Sequence, residues 1–405
     1  MNVQQQLAVS LLQDNPAEMD LARLNALNEA GWHEVSKVAE ALGLGPLLFR
    51  NVRRFEVKVP QAIGELLLES LRNNTARNLR ILKEFGILAG ALQEQGIAFM
   101  PLKGVYLCSN VYENPGERLL WDIDLIVPPE EMRRALAVVE STGYRASRPY
   151  DLDLEIKIHQ HVPAYLKAGA PPLEVHGTLL EPRFEHGREW QDVWERAVLA
   201  RVGEATVQVL APIDLLIYLC AHVAYHHLYA DSVRSLYDIK LTVERFSAEL
   251  DWDLVAARAQ AWALINSVYL TLRLTKDLLG CGLTESSLQA LRPPDFNAGL
   301  IQAVLARVFE QMETPPVINA VWARPNLLQR IKGLWDRVVV PPSVLARTYR
   351  VPPNSRRLYF YYLVRLKDML AIHGGDLSAL FLGSRQKKDL ARRDAELIAY
   401  LKWWE

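Results

Sequence analysis

The sequence predicts an α+β fold, a small mixed-sheet core flanked by N-terminal and C-terminal helical regions. Three observations carry this. Apolar residues recur at spacings of three and four from the start to Gly96, and again beyond Glu189. Nearly all strand-like segments fall between those stretches. At 405 residues the chain also has enough material for two or three packed units around more than one core. The expected division is residues 1–95, N-terminal helical; 96–185, α/β core; 186–290, a helical region closing a cleft over that core; and 291–405, C-terminal helical.

In the first region, Leu67, Leu71, Leu79, Leu82, Phe85, Leu88 and Leu92 mark one face of a helix that Gly96 stops. Residues 97–102 read as a short strand, and Lys103-Gly104 opens an apolar helix through Tyr112. After the Asn114-Pro115-Gly116 turn, residues 119–127 read as the next strand, closed by Pro128-Pro129. A helix over 130–142 follows, with acidic residues in its first turn where the helix dipole favours them. Further strands are expected at 144–148 and 154–158, then a hairpin pairing 161–166 with 173–179 through Gly169. Beyond a strand-like patch at 206–210, long helices are expected at 212–229, 232–245, 252–279 and 356–373. Pro-Pro pairs at 315–316, 341–342 and 352–353 break up the last third.

Composition narrows the function classes. The formal net charge is -1, from 46 basic and 47 acidic residues, so the whole protein is not steered towards a polyanion, and nucleic acid is not the expected partner. Three widely spaced cysteines, Cys108, Cys220 and Cys281, do not make a disulfide framework and suit a reducing compartment. The first twenty residues lack a basic segment followed by a long apolar one, and the most apolar window, 213–223, is too short to span a bilayer. A cytoplasmic protein with no membrane partner is expected; the sequence is silent on oligomeric state.

The chemistry-bearing stretch is Trp121-Asp122-Ile123-Asp124-Leu125. On a strand, Asp122 and Asp124 project together while Trp121, Ile123 and Leu125 point the other way into a core. Two adjacent carboxylates on an apolar strand repel one another and lose hydration unless a cation or proton relieves them. Oxygen ligands with no cysteine nearby favour Mg2+ or Mn2+ over zinc. Lys103 and Gly104, at a strand-to-helix junction, offer a phosphate a full charge, a close backbone approach and a helix N-terminus. Glu174 and His176 share a face of a later strand, and Glu174 supplies the third carboxylate that a two-ion phosphoryl-transfer site needs.

In order along the chain, Leu102-Lys103-Gly104, Tyr112, Pro115, Arg118 and Asp122 through Val127 resemble the "uncharacterised nucleotidyltransferase" family of the DNA polymerase beta-like nucleotidyltransferase superfamily. Gly31-Trp32-His33 through Leu48 is similar to the family's leading helical segment, and His222 with Arg234-Ser235-Leu236-Tyr237-Asp238 to its later one. The resemblance implies that Asp122 and Asp124 are the metal-binding pair and that Glu174 is the third acid. It also implies that Lys103-Gly104 stands where many relatives carry Gly-Ser, so that phosphate contact rests on Lys103 and backbone amides.

Several other residues have both a functional and a structural reading. Arg118 could reach a phosphate or pair within its turn. His176 could orient Glu174, contact substrate or be structural. His222, Arg234 and Asp238 could line a nucleotide cleft or form an interhelix network. His222 and His226 are spaced as zinc ligands, but no glutamate follows His222 as a metalloprotease motif requires. The aromatic and basic runs at 347–350 and 356–362 read more simply as core and solvated face than as a stacking surface. The expected activity is transfer of a nucleoside monophosphate from an NTP, ATP first, to a hydroxyl of a small-molecule, sugar, peptide or protein acceptor. Mg2+ or Mn2+ is the cofactor, Asp122, Asp124 and Glu174 are the catalytic and metal-binding groups, and pyrophosphate leaves. The competing expectation is a catalytically silent nucleotide- or partner-binding module on the same fold.

Overall fold

The computed structural model describes residues 1–182, 192–230 and 232–309, and beyond these 355–368, 385–401 and scattered positions between 332 and 352. The chain divides into two compact units, one of 1–301 with 305–309 and one of 302–304 with 310–405.

The first unit begins with four helices, α1 (Val3–Ser10), α2 (Glu18–Asn25), α3 (Glu29–Ala41) and α4 (Gly45–Arg54). They lead into the 34-residue α5 (Gln61–Glu94). Its buried face runs through Ile63, Leu67, Asn74, Asn78, Ile81, Leu82, Phe85, Leu88, Ala89 and Leu92, the helical spacing the sequence predicts. Two details differ. Leu79 faces solvent, and Asn74 and Asn78 take inward positions because their amides donate to the Gly116, Pro115 and Arg118 carbonyls of the loop before the central strand. Gly96 ends the element with φ 64, a conformation that costs glycine little.

The sheet has the order β1-β2-β5-β4-β3, from β1 (Met100–Pro101), β2 (Ile123–Ile126), β3 (Arg145–Ala146), β4 (Tyr165–Leu166) and β5 (Leu173–His176). β2 and β5 run parallel; the other neighbours are antiparallel. The connection from β2 to β5 passes through α7 (Met132–Ser141), β3, α8 (Leu152–Ile158) and β4, while α6 (Lys103–Asn110) joins β1 to β2. The segment expected as a strand at 154–158 is instead α8. Its alternation of apolar and charged residues has a period of two, but Asp151 caps the Leu154 amide and starts a helical turn.

After α9 (Asp192–Glu195), a hairpin of β6 (Val198–Val202) and β7 (Ala205–Val209) leads into α10 (Pro212–His226) and α11 (Val233–Arg245). α10 is buried nearly all round, and Asp214 in its first turn accepts hydrogen bonds from Arg196 and Arg258 at 2.9 and 2.7 Å. The single helix expected at 252–279 is two, α12 (Trp252–Ala261) and α13 (Ile265–Leu279), broken where Ala263 takes φ 52. α14 (Glu285–Leu291) and α15 (Gly299–Val308) follow.

In the second unit, Leu345, Ala346 and Leu358 form a small core against Val340, Tyr349, Tyr361 and Tyr362. Residues 358–368 and Arg385–Tyr400 are helical. Tyr359 and Phe360 of the aromatic run are exposed. Arg347, Thr348 and Arg350, the Pro315-Pro316 pair and the end of the helix expected to reach 373 lie outside the described residues. No helix among the described residues is long and apolar enough to cross a membrane.

Candidate active site

All four residues of β2 are buried, and Asp124 is its only charge. Ile123, Leu125, Leu173 and Val175 fill one face of the β2/β5 pair, which is why a carboxylate on the opposite face is held so firmly. In the parallel register Asp124 lies beside Glu174, and Ile126 beside His176. The His176 Nε2 is 3.0 Å from Asp124 Oδ1 and 3.7 Å from Glu174 Oε2. One ligand atom from each of Asp124, Glu174 and His176 lies within 4.8 Å of the others, a group that could hold a metal ion. Two carboxylates and an imidazole nitrogen suit a divalent cation.

Asp122 stands one residue before β2, half-buried. It is outside the tight group, so of the expected metal set Asp124 and Glu174 converge, His176 joins them and Asp122 flanks them. Trp121, expected in the core, is instead 56% exposed and lies over Arg77, whose guanidinium is 4.0 Å from the ring centre. Strand alternation does not reach it because β2 begins only at Ile123.

Lys103 is the first residue of α6, at φ 41, a left-handed conformation that costs a lysine about 1 kcal/mol or more. The turn is pinned by the Leu102 amide donating to the Asp124 carbonyl at 2.9 Å. This aims the Lys103 Nζ at Asp124 Oδ2, 3.9 Å away. No side chain caps the first turn of α6. Gly104 has a packing reason beside the expected one: a Cβ there would meet Leu120 Cδ1 at 2.5 Å and Arg118 Nη1 at 3.0 Å.

Burial resists charge at each acid, but the acids respond differently. Asp124 is held well below the usual carboxylate range, because the Lys103 ammonium and the His176 hydrogen bond outweigh its burial. Asp122 and Glu174 are pushed up, first by burial and then by the Asp124 charge. Burial pushes His176 down to about 4, so its imidazole is neutral near pH 7. Lys103 stays charged: burial opposes it, and Asp124, Tyr218, Glu174 and Asp122 more than compensate. One firmly ionised carboxylate beside two reluctant ones is an arrangement that a divalent cation relieves.

Helix α10 adds Tyr218 and His222. The Tyr218 hydroxyl is buried without a hydrogen-bond partner, pushed up by burial, and interacts with Lys103, Asp124 and Glu174. His222 is half-buried, stacks on His226 with ring centres 4.6 Å apart, and is held neutral by burial and by the Lys103 charge. Sequence reasoning missed Tyr218, whose apolar helix reads as core. It missed His161 too, whose Nε2 is 3.7 Å from Glu174 Oε2 and which bridges to His176. The four-residue spacing of Tyr218 and His222 was the available signal.

The remaining expected residues form a network behind Asp122. Arg118 donates from Nε and Nη2 to the two oxygens of Asp238, at 2.9 and 2.8 Å, and the Tyr112 hydroxyl donates to the same carboxylate at 2.7 Å. Arg118 and Asp238 therefore satisfy one another. Arg234 donates to the Leu119 carbonyl at 3.3 Å, and its charge acts on Asp122.

No curated protein and no solved structure matches the chain. A family model described as "Uncharacterised nucleotidyltransferase" matches residues 28–280, a span that contains the sheet, the acids, Lys103 and helices α10 and α11. By that match over more than half its length, the chain belongs to the uncharacterised nucleotidyltransferase family.

Proposed function

We propose that the protein moves a nucleoside monophosphate from an NTP, ATP first, to a hydroxyl of a small-molecule, sugar, peptide or protein acceptor. The acceptor oxygen bonds to the α-phosphorus, the bond from that phosphorus to the bridging oxygen breaks, and pyrophosphate leaves. The observation that carries this reading is the register pairing of Asp124 with Glu174, with Lys103 held 3.9 Å from Asp124, in a chain of this family.

Mg2+ or Mn2+ held by Asp124 and Glu174, with Asp122 alongside, would neutralise phosphate charge and lower the pKa of the attacking hydroxyl. Lys103 is the phosphate ligand: its ammonium is charged and its strained backbone points it at the acids. Glu174, beside Asp124 in the parallel register, would complete the ion's ligands and act near the attacking oxygen. The hydroxyl of Tyr218 and the neutral ring of His222 offer hydrogen bonds to phosphate or ribose, and Arg234 sits on the Asp122 side. The reaction belongs in the cytoplasm, where NTPs are supplied.

Incubation with each α-labelled NTP, Mg2+ or Mn2+ and a cell extract tests the proposal. Label transfer with pyrophosphate release is expected, and Asp124→Asn should reduce it by about a hundredfold to a thousandfold. Nucleotide binding with neither product would favour the silent module, and an Asp124→Asn protein that transfers as well as the parent would remove the mechanism.

A further inference from the structure

Helix α11 brings a second arginine towards the site, and the protein gives it no counter-charge. Arg118 Nη1 and Arg234 Nη1 both donate to the Leu119 carbonyl at 3.3 Å, so two guanidinium groups converge on one oxygen. Asp238, on the same helix, is already taken: Arg118 holds both of its oxygens and the Tyr112 hydroxyl adds a third bond. Among the described residues no carboxylate forms an ion pair with Arg234, and the Leu119 carbonyl is its one hydrogen-bond acceptor. Burial and the Arg118 charge weaken its hold on a proton, and Asp238, Tyr112 and Asp122 do not make up the difference. A guanidinium kept in such a place with most of its fork unused calls for an anion from outside.

The position of Arg234 says which anion. Its stem is held by Gly43, at φ 70 in the turn after α3, where a Cβ would lie 3.4 Å from Arg234 Cδ. Its head shares Leu119 with Arg118, whose Nη1 lies 3.0 Å from where a Cβ of Gly104 would be. Gly104 belongs to the Lys103 turn, which opens α6 from the β1 side of β2. Glu174 comes from β5, on the opposite side of β2. With the attacking oxygen near Glu174, the row from Lys103 and Gly104 through Arg118 to Arg234 borders the side on which the leaving group departs in line. The first turn of α11 holds no acid and has no side-chain cap, so the helix dipole there adds to the positive potential.

We propose that Arg234 binds the terminal phosphates of the NTP, which makes the site select triphosphates over diphosphates and monophosphates and hold inorganic pyrophosphate as product. A planar guanidinium matches paired phosphate oxygens, whereas Lys103 supplies a point charge. As the bond from the α-phosphorus to the bridging oxygen breaks, the electron pair stays with pyrophosphate, and the charge gathers on the side of Arg234; the arginine neither gives nor takes a proton. The inference rests on the transfer reading for the direction in which pyrophosphate leaves, and its binding test needs no turnover.

Calorimetric titration of the full-length protein with inorganic pyrophosphate, ATP and AMP, each with Mg2+, is the test. The parent is expected to bind pyrophosphate. Arg234→Gln should bind pyrophosphate and ATP roughly tenfold to a hundredfold more weakly and leave AMP binding unchanged. Arg234→Lys keeps the charge without the fork and should recover part of the loss. Because Arg234 stands uncompensated beside Arg118, Arg234→Gln should unfold at an unchanged or higher urea concentration. A destabilised variant that loses ATP, AMP and pyrophosphate alike would mark a scaffold residue and overturn the proposal. A parent that binds no pyrophosphate, or an Arg234→Gln protein that binds it as tightly as the parent, overturns it too. Selective loss of pyrophosphate binding in a protein that transfers no label would sink the transfer reaction alone. Label transfer by the parent, with pyrophosphate binding untouched by Arg234→Gln, would sink this inference alone.

Discussion

Arg118 and Lys103 are both buried cations facing an aspartate, yet the two pairs are built differently. Arg118 and Asp238 meet through two parallel hydrogen bonds of 2.8 and 2.9 Å, with Tyr112 completing the carboxylate. Lys103 stops 3.9 Å from Asp124, beyond hydrogen-bond length, on a strained backbone and beside the buried Tyr218 hydroxyl. A saturated pair spends its charge on holding the fold. An unsaturated one keeps charge available for a ligand, and the proposed function assigns it that task.

The comparison can be broken by substitution. Asp238→Ala leaves Arg118 buried and unpaired, so it should cost roughly 3–5 kcal/mol in urea unfolding; a cost within experimental error would show that the network is not scaffold. Lys103→Gly relieves the positive φ, so the protein should unfold at an unchanged or higher urea concentration while label transfer falls about tenfold to a hundredfold. Destabilisation with unchanged transfer would reverse the assignment.

The histidines of α10 sharpen it through pH. Burial, and then the Lys103 charge, lowers half-buried His226 to about 2, so the unfolded chain takes up protons first as pH falls below the ordinary histidine value of 6.5. Its contribution to stability is complete above 6.5 and is lost progressively as pH falls below that value. Urea midpoints should decline over that range, and His226→Gln, which can still bond Gln160, should flatten the decline. A midpoint that rises on acidification would contradict the sign. The smallest effect is expected at exposed Trp121: Trp121→Ala removes its Arg77 contact and should cost about 0.5–1 kcal/mol, seen as a small shift of the same midpoint.

Much of the arrangement was legible where periodicity has one interpretation. The alternation in β2 and β5 put Asp124 beside an apolar core and Glu174 on a face with His176, and the long face of α5 followed from spacing alone. Reading failed where local chemistry overrode a pattern. The Asp151 cap turned an alternating segment into α8, and Ala263 broke a helix with neither glycine nor proline to mark the place. The late start of β2 freed Trp121 from the face that alternation assigned it. Asp122 and Asp124 were expected to project together from one strand, whereas β2 begins after Asp122, and the neighbouring strand brings imidazole to Asp124 and leaves Asp122 flanking. Tyr218 was hidden by its apolar neighbours, since a hydroxyl in such a helix normally signals packing.

The parallel pairing of β2 with β5 has a consequence for how the molecule is made. Asp124 and His176 are 52 residues apart, and everything between them must be wound before the two meet, a costly closure that local turns do not help. A nascent chain that has not reached β5 therefore has Asp124 without Glu174 and His176 beside it. If an ion is held there as the proposed function has it, it would bridge the longest-range pairing of the sheet and slow its reopening, so chelation should expose this crossover to proteases before the helices around it.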